Sequence, residues 1–212
     1  MRSYRQYCSV AKALDVVGDR WTLLIVRELL LKGPSRYTDI RAGLPGIATN
    51  LLADRLRELE QAGIVEREEA PPPVATTLFR LTPRGEELEP ALTALGRWGI
   101  PLMRETSPEE TFKSRWMRLP VELFLTDRRP EEPAIAIQVN TGDEPMVIEA
   151  GAGEVHLHPG TSKDPDATLT GEPRPLLGLL SGNLTLGQAR RQGVQYRGDP
   201  ATLARVLPAE SA

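Results

Sequence analysis

Apolar residues recur along the first hundred positions at the three- and four-residue spacings of helices, then give way to the two-residue alternation of strands. Val10, Ala13, Leu14 and Val17 share one helical face. Gly18-Asp19 breaks that run, and Trp21-Thr-Leu-Leu-Ile-Val-Arg-Glu-Leu-Leu opens a second helix, with Asp19 placed to cap it and Gly33-Pro34 to end it. A short helix over Tyr37–Ala42 and the tight turn Gly43-Leu-Pro-Gly46 come next. The following helix takes Thr49 as N-cap and Gly63 as terminator, and stacks Leu52, Leu56 and Leu59 on one side. Past Gly63 the period changes. Residues 64–69 and Thr77–Leu81 read as two strands joined by Pro-Pro-Pro-Val-Ala, a wing. Thr82 caps and Pro83 starts another helix, whose Leu88, Leu92, Leu95, Trp98 and Leu102 carry it to about Met103.

The remaining positions predict a second, mixed domain. Ser107-Pro108-Glu-Glu110 reads as a capping box with proline at the first helical position, and Phe112, Trp116, Leu119 and Leu123 continue that helix. Pro120 should kink it or end it early. Residues 127–133 form a polar loop, and 134–140, 146–150 and 154–158 alternate as a strand meander, with a fourth strand near 166–171. Helices over Pro173–Leu180 and 185–192, a strand at 194–197 and a helix over 200–207 close the pattern. The expected fold class is therefore α+β in two domains, 1–104 and 105–212, each long enough to bury its own core.

Composition adds little, but charge adds an asymmetry. The net charge of −3 conceals ten Lys/Arg against five Asp/Glu in residues 1–57, and eleven against sixteen in residues 105–212. A basic amino-terminal face suits nucleic acid. No apolar run approaches the roughly 18 residues of a membrane span, and the first residues lack the apolar core of a secretory signal. A single cysteine, Cys8, cannot form an internal disulfide. A cytoplasmic protein without a membrane partner is expected.

Opposite the leucines of the helix after Gly46 lie Asn50, Asp54, Arg57 and Gln61, with Ala53 on the flank. Asn50 and Ala53 are small enough to let the helix sink into a groove of about 12 Å. There Asn can pair with adenine, Thr49 can meet a base edge or phosphate, and Arg57 can reach guanine or the backbone. A bland reading stands beside this one, a core helix with a solvated polar back. Position decides between them: three basic helices precede the stretch and a wing follows it. Arg36 and Arg41, with Arg20 and Lys32 nearby, are candidate phosphate contacts.

CSVAKALDVVGDRWTLLIVRELL, then GPSRYTDIRAGLPGIATNLLADRLRELEQAGIVERE and LFRLTPRGEELEPALTALGRWG, resemble the HxlR family of winged helix-turn-helix regulators from Cys8 to about Trp98. That resemblance implies a homodimer on pseudo-palindromic double-stranded DNA; of the two directions of regulation, a repressor is expected. DNA-binding residues would be Arg36, Thr49, Asn50, Ala53, Asp54 and Arg57. Dimerisation would use the amino-terminal segment and residues 86–103. Two features depart from a strongly gripping module: the wing tip APPPVATT holds no Lys or Arg, and Glu66, Glu68 and Glu69 leave the first wing strand acidic. Cys8 matches a cysteine that senses oxidants or electrophiles in some members; a small residue buried at a dimer seam is the competing reading.

Residues 105–212 resemble the sterol-carrier-protein-2-like fold through the meander and PDATLTGEPRPLLGLLSGNLTLGQARRQGVQYRGDPATLARVL. That fold implies an apolar ligand held between helices and sheet, with Leu176, Leu177 and Leu180 as pocket candidates. An ordinary core is the competing reading. His156 and His158 share one strand face, where a metal would need one or two further ligands, such as Glu154 on that face or a residue of a neighbouring strand; two histidines on an exposed strand edge is the competing reading. No nucleophile–base constellation or phosphate loop emerges, so neither enzyme, metal nor cofactor is expected. Two other classes stay open: a lipid or small-molecule carrier, and a protein-interaction module that uses the winged helix only for dimerisation or docking.

Overall fold

The computed structural model describes residues 3–70, 76–104 and 110–208. The chain divides into two compact units, Met1–Gly99 and Ile100–Ala212. The first holds α1 (Ser9–Val17), α2 (Thr22–Lys32), β1 (Ser35–Arg36), α3 (Tyr37–Ala42), α4 (Thr49–Gln61), β2 (Val65–Glu69), β3 (Thr77–Leu81), α5 (Pro83–Glu86) and α6 (Glu89–Gly99). Its antiparallel sheet has the order β1-β3-β2, so the wing carries a third strand that a two-residue alternation could not announce. Ile25, Val26 and Leu29 of α2, Ile40 of α3 and Leu52, Leu56 and Leu59 of α4 form the core with Ile64, Val65, Phe79 and Leu81.

Local chemistry explains the element ends, with two corrections. Asp19 does not cap α2: its carboxylate accepts from Arg55 Nη1 at 2.7 Å, and Trp21, in the left-handed region at φ 79°, holds the N-cap position. Thr49 is the first helical residue of α4, with Ala48 at the N-cap position. Gly63 ends α4 as expected. Its φ of +68° lets its N–H bond the Glu60 carbonyl at 3.0 Å while Ile64 N–H bonds that of Leu59 at 2.9 Å, the paired geometry of a Schellman cap. Thr82 Oγ1 caps α5 by accepting from Gly85 N–H at 3.1 Å. The helix expected to reach Met103 breaks between α5 and α6, and past Gly99 it continues as a 3-10 segment, Ile100–Arg104.

The apolar face of α1 stays largely uncovered by the unit's own core. Val10 is 64% exposed and Leu14 43%, and further along the unit Leu95 and Trp98 of α6 are 48% and 69% exposed. Only Ala11 of α1 is buried. Asp15 draws the preceding residues back along α1, accepting from Tyr4 N–H and the Ser3 hydroxyl at 2.8 Å each.

The second unit contains α7 (Arg118–Phe124), β4 (Ile135–Thr141), β5 (Glu144–Gly151), β6 (Glu154–Pro159), β7 (Ala167–Thr170), α8 (Pro173–Leu180), α9 (Leu186–Arg191), β8 (Gln195–Gly198) and α10 (Pro200–Val206). Its sheet runs β6-β5-β4-β7-β8, with β7 parallel to β4 and the other pairs antiparallel. Ile137, Val139, Met146, Ile148, Leu157 and Leu169 form the sheet's apolar face, packed with Val121, Leu176, Leu179, Leu203 and Val206 of the helices. Asn140, Glu149, His156 and Arg197 alternate onto the exposed side.

The helix start expected at Ser107-Pro108 lies outside the described residues. The continuous helix through Phe112 and Trp116 is not formed: a 3-10 turn, Ser114–Met117, leads into α7. Tertiary hydrogen bonds override the periodicity there. Ser114 N–H bonds Asp143, and Ser114 Oγ donates to the Thr141 carbonyl at 2.5 Å, pinning the segment to the β4–β5 turn. Pro120 sits in the first turn of α7, where its missing N–H costs nothing, so it neither kinks nor ends the helix. The loop at 127–133 hides a buried ion pair. Arg205 of α10 donates from Nε to Asp127 Oδ1 at 2.7 Å and from Nη2 to Oδ2 at 3.1 Å, and also bonds the Pro133 and Arg129 carbonyls.

Candidate nucleic-acid interface

The helix-turn-helix is built from α3, a tight turn and α4. Leu44 and Ile47 anchor the turn in the core, and Ile47 N–H bonds the Leu44 carbonyl at 3.1 Å across Pro45-Gly46. Proline followed by a residue of positive φ (Gly46, +86°) is the requirement of a type II turn. Two side chains of α3 then fix where α4 begins. Tyr37 donates its hydroxyl to the Thr49 carbonyl at 2.5 Å, and Arg41 Nη1 donates to Thr49 Oγ1 at 3.3 Å. On the inner side, Arg55 bonds Asp19 and Glu58, tying α4 to the α1–α2 junction.

With its leucines inward, α4 turns Asn50, Asp54, Arg57 and Gln61 outward as one exposed stripe, with Thr49 exposed at its start and Ala53 half-buried on its flank. Asn50 is partly engaged: its Oδ1 accepts from Leu51 N–H at 3.0 Å, an orphan donor of the first turn. Arg57 Nη1 lies 3.0 Å from Asp54 Oδ1. Arg36 is exposed where β1 meets α3 and makes no ion pair among the described residues. Of the other basic candidates, Arg20 stacks over Trp21 at 5.5 Å and Lys32 lies in the last turn of α2.

The acidic character of β2 is largely answered within the wing. Arg80 bridges Glu66 at 2.6 Å and Glu68 at 3.2 Å, while Arg67 pairs with Glu60 and lies over the Phe79 ring. Sequence alone flagged the acids but not their partners, because the cross-strand register that brings Arg80 opposite Glu66 appears only with the folded sheet. Residues 71–75 of the wing tip lie outside the described residues.

Cys8 is exposed at the N-cap position of α1. Leu176 and Leu180 pack fully into the second unit's core, and Leu177 packs against it half-buried. His156 and His158 pair with Glu154 and Glu149 at 3.1 Å each. No cluster of three or more His, Cys, Asp or Glu suited to a metal occurs among the described residues, and no described helix is long and apolar enough to cross a membrane.

Comparison with known proteins matches the same stretch. The HxlR-like helix-turn-helix family model covers residues 16–107. The HTH-type transcriptional regulator YvaP of Bacillus subtilis is 38% identical over 87 residues, 41% of this chain and 80% of that one. YodB, an HTH-type transcriptional regulator of the same organism, is 36% identical over 86 residues, 41% of this chain and 76% of that one. Among solved structures, the reduced form of YodB matches 48% of this chain and all of its own, at 31% identity and a TM-score of 0.41.

Proposed function

Because this chain belongs to the HxlR-like helix-turn-helix family and is a DNA-binding transcriptional regulator, we propose that it reads a two-fold inverted repeat as a homodimer and represses from it. One α4 would enter each of two successive major grooves about 34 Å apart. The carrying observation is the outward stripe of Asn50, Asp54, Arg57 and Gln61 on a helix whose other side is wholly committed to the core. Asn50, Ala53 and Thr49 sit where the helix would enter deepest, and Arg36 stands ready for a phosphate. Apolar side chains left exposed on α1 and α6 supply the self-complementary surface a dimer needs.

Selection of bound duplexes from a random pool, using reduced full-length protein near physiological salt, tests this reading. An enriched inverted repeat with half-sites one helical turn apart is expected. No enrichment from a protein that is dimeric in solution would sink it, and would favour a protein-interaction module or a carrier.

The second unit is read as a sterol-carrier-protein-2-like sensor, supported by helices covering one face of a small mixed sheet. A small apolar ligand near Leu176, Leu177 and Leu180 would have to part α8 from the sheet, since Leu176 and Leu180 are close-packed. It would shift DNA affinity only by binding the two dimer geometries unequally. Native mass spectrometry of the purified protein, with and without a long-chain fatty acid probe, tests the site; no bound mass in either sample would remove it. Exposure of Cys8 suits a second, redox input in the cytoplasm. Operator release by a thiol oxidant should vanish in Cys8→Ser.

A further inference from the structure

The outward face of α4 contains a carboxylate where a polyanion is to be met. Asp54 and Arg57 are 56% and 59% exposed in their side chains and joined at 3.0 Å. An exposed pair three residues apart adds little to helix stability. Duplex DNA carries one negative charge per about 1.7 Å of axis, which penalises a bare carboxylate at its surface. A merely solvating role leaves Asp54 a liability in the complex.

Guanidinium geometry supplies a use for it. Arg presents five N–H donors in a rigid planar fork, and a bidentate guanine contact occupies only one edge of that fork. Anchoring Nη1 to Asp54 Oδ1 fixes the plane and the reach of a side chain that otherwise samples many rotamers. It also withdraws one donor from phosphate, biasing the remaining edge toward base acceptors. Arg55, the neighbouring arginine on this helix, cannot serve, because it is turned inward to Asp19 and Glu58.

Building on the DNA-reading function above, we propose that Asp54 is a positioning residue that holds Arg57 for bidentate contact with a guanine, and so sets the base preference at one position of each half-site. Asp54 thereby exchanges non-specific affinity for selectivity.

The experiment is the random-duplex selection, run in parallel on wild type, Asp54→Asn and Asp54→Ala, with Arg57→Lys as a reference. Affinities for the selected site and for an unrelated duplex are then measured across a salt series. Wild type should fix guanine at one half-site position. Both Asp54 variants should still select the inverted repeat but lose about tenfold in discrimination at that position, as Arg57→Lys does. Their affinity for the unrelated duplex should rise, with a log–log salt slope steeper by about one as Arg57 is released to phosphate. Unchanged discrimination in both Asp54 variants, with wild type still selective, would overturn this proposal alone. A wild type that selects no sequence would overturn the DNA-reading function beneath it as well.

Discussion

Arg36 and Arg55 carry the same charge on the same small unit, yet their surroundings are opposite. Arg55 is held by Asp19 and Glu58, whereas Arg36 faces solvent with no ion pair among the described residues. Arg36→Ala is therefore expected to weaken all duplexes alike and to lower the salt slope by about one; an unchanged slope would exclude a phosphate contact. At Asp143, burial pushes the carboxyl up, but the Ser114 N–H and Lys113 more than offset it and hold it at about 2. A folded-state pKa below the unfolded value near 3.9 stabilises above that value, and the contribution fades as pH falls from about 4 to about 2. Asp143→Asn should then lose roughly 1 kcal/mol at pH 7, allowing for screening at this partly exposed site, and converge with wild type by about pH 2. Asp127 is held still lower, chiefly by its bonds from Arg205. The outward stripe of α4 was legible because helical period alone separates it from Leu52, Leu56 and Leu59. The polar loop at 127–133 gave no sign of the Asp127 ion pair, because its partner lies 78 residues away, beyond any local pattern.

Element ends were read best where a local residue sets them. Gly63 is the clearest case, since positive φ there is what lets the last carbonyls of α4 find partners. Gly63→Ala meets no atom within 4 Å, so its cost is the left-handed backbone alone, roughly 1–2 kcal/mol. Urea unfolding should show a lower midpoint at an unchanged m-value. Thr82 extends the same design by donating to the Gly63 carbonyl at 2.7 Å while capping α5. Boundaries of α3, β3 and α8 likewise coincide with those expected from turn residues and proline. The pattern failed where distant partners intervened, at Asp19, which Arg55 claims, and at Ser114, which the β4–β5 turn claims. It also failed at β1, whose two residues are strand only because β3 lies beside them.

For the whole molecule, the informative surface is the apolar one that its own core leaves uncovered. Hydrophobic spacing predicted amphipathic helices at α1 and α6 but could not say what their apolar faces would meet. Leu14→Glu and Trp98→Glu each place a charge on such a face without touching α4. In the proposed homodimer these faces meet, so sedimentation is expected to show wild type as a dimer and each variant as a monomer at the same concentration, with affinity for the selected duplex reduced at least tenfold. Variants that remain dimeric would place the self-contact elsewhere.

The clasp between Asp127 and Arg205 also has a temporal side. Ribosomes add about 5–20 residues per second, so Asp127 emerges roughly 4–16 s before the 78-residue interval to its guanidinium partner is complete. Every residue of the amino-terminal unit has been made by then, and that unit can close on its own contacts. The sheet of the second unit cannot seal its carboxylate until α10 arrives. Synthesis order thus lets the amino-terminal unit close first, while Asp127 waits for its guanidinium partner until α10 has been made.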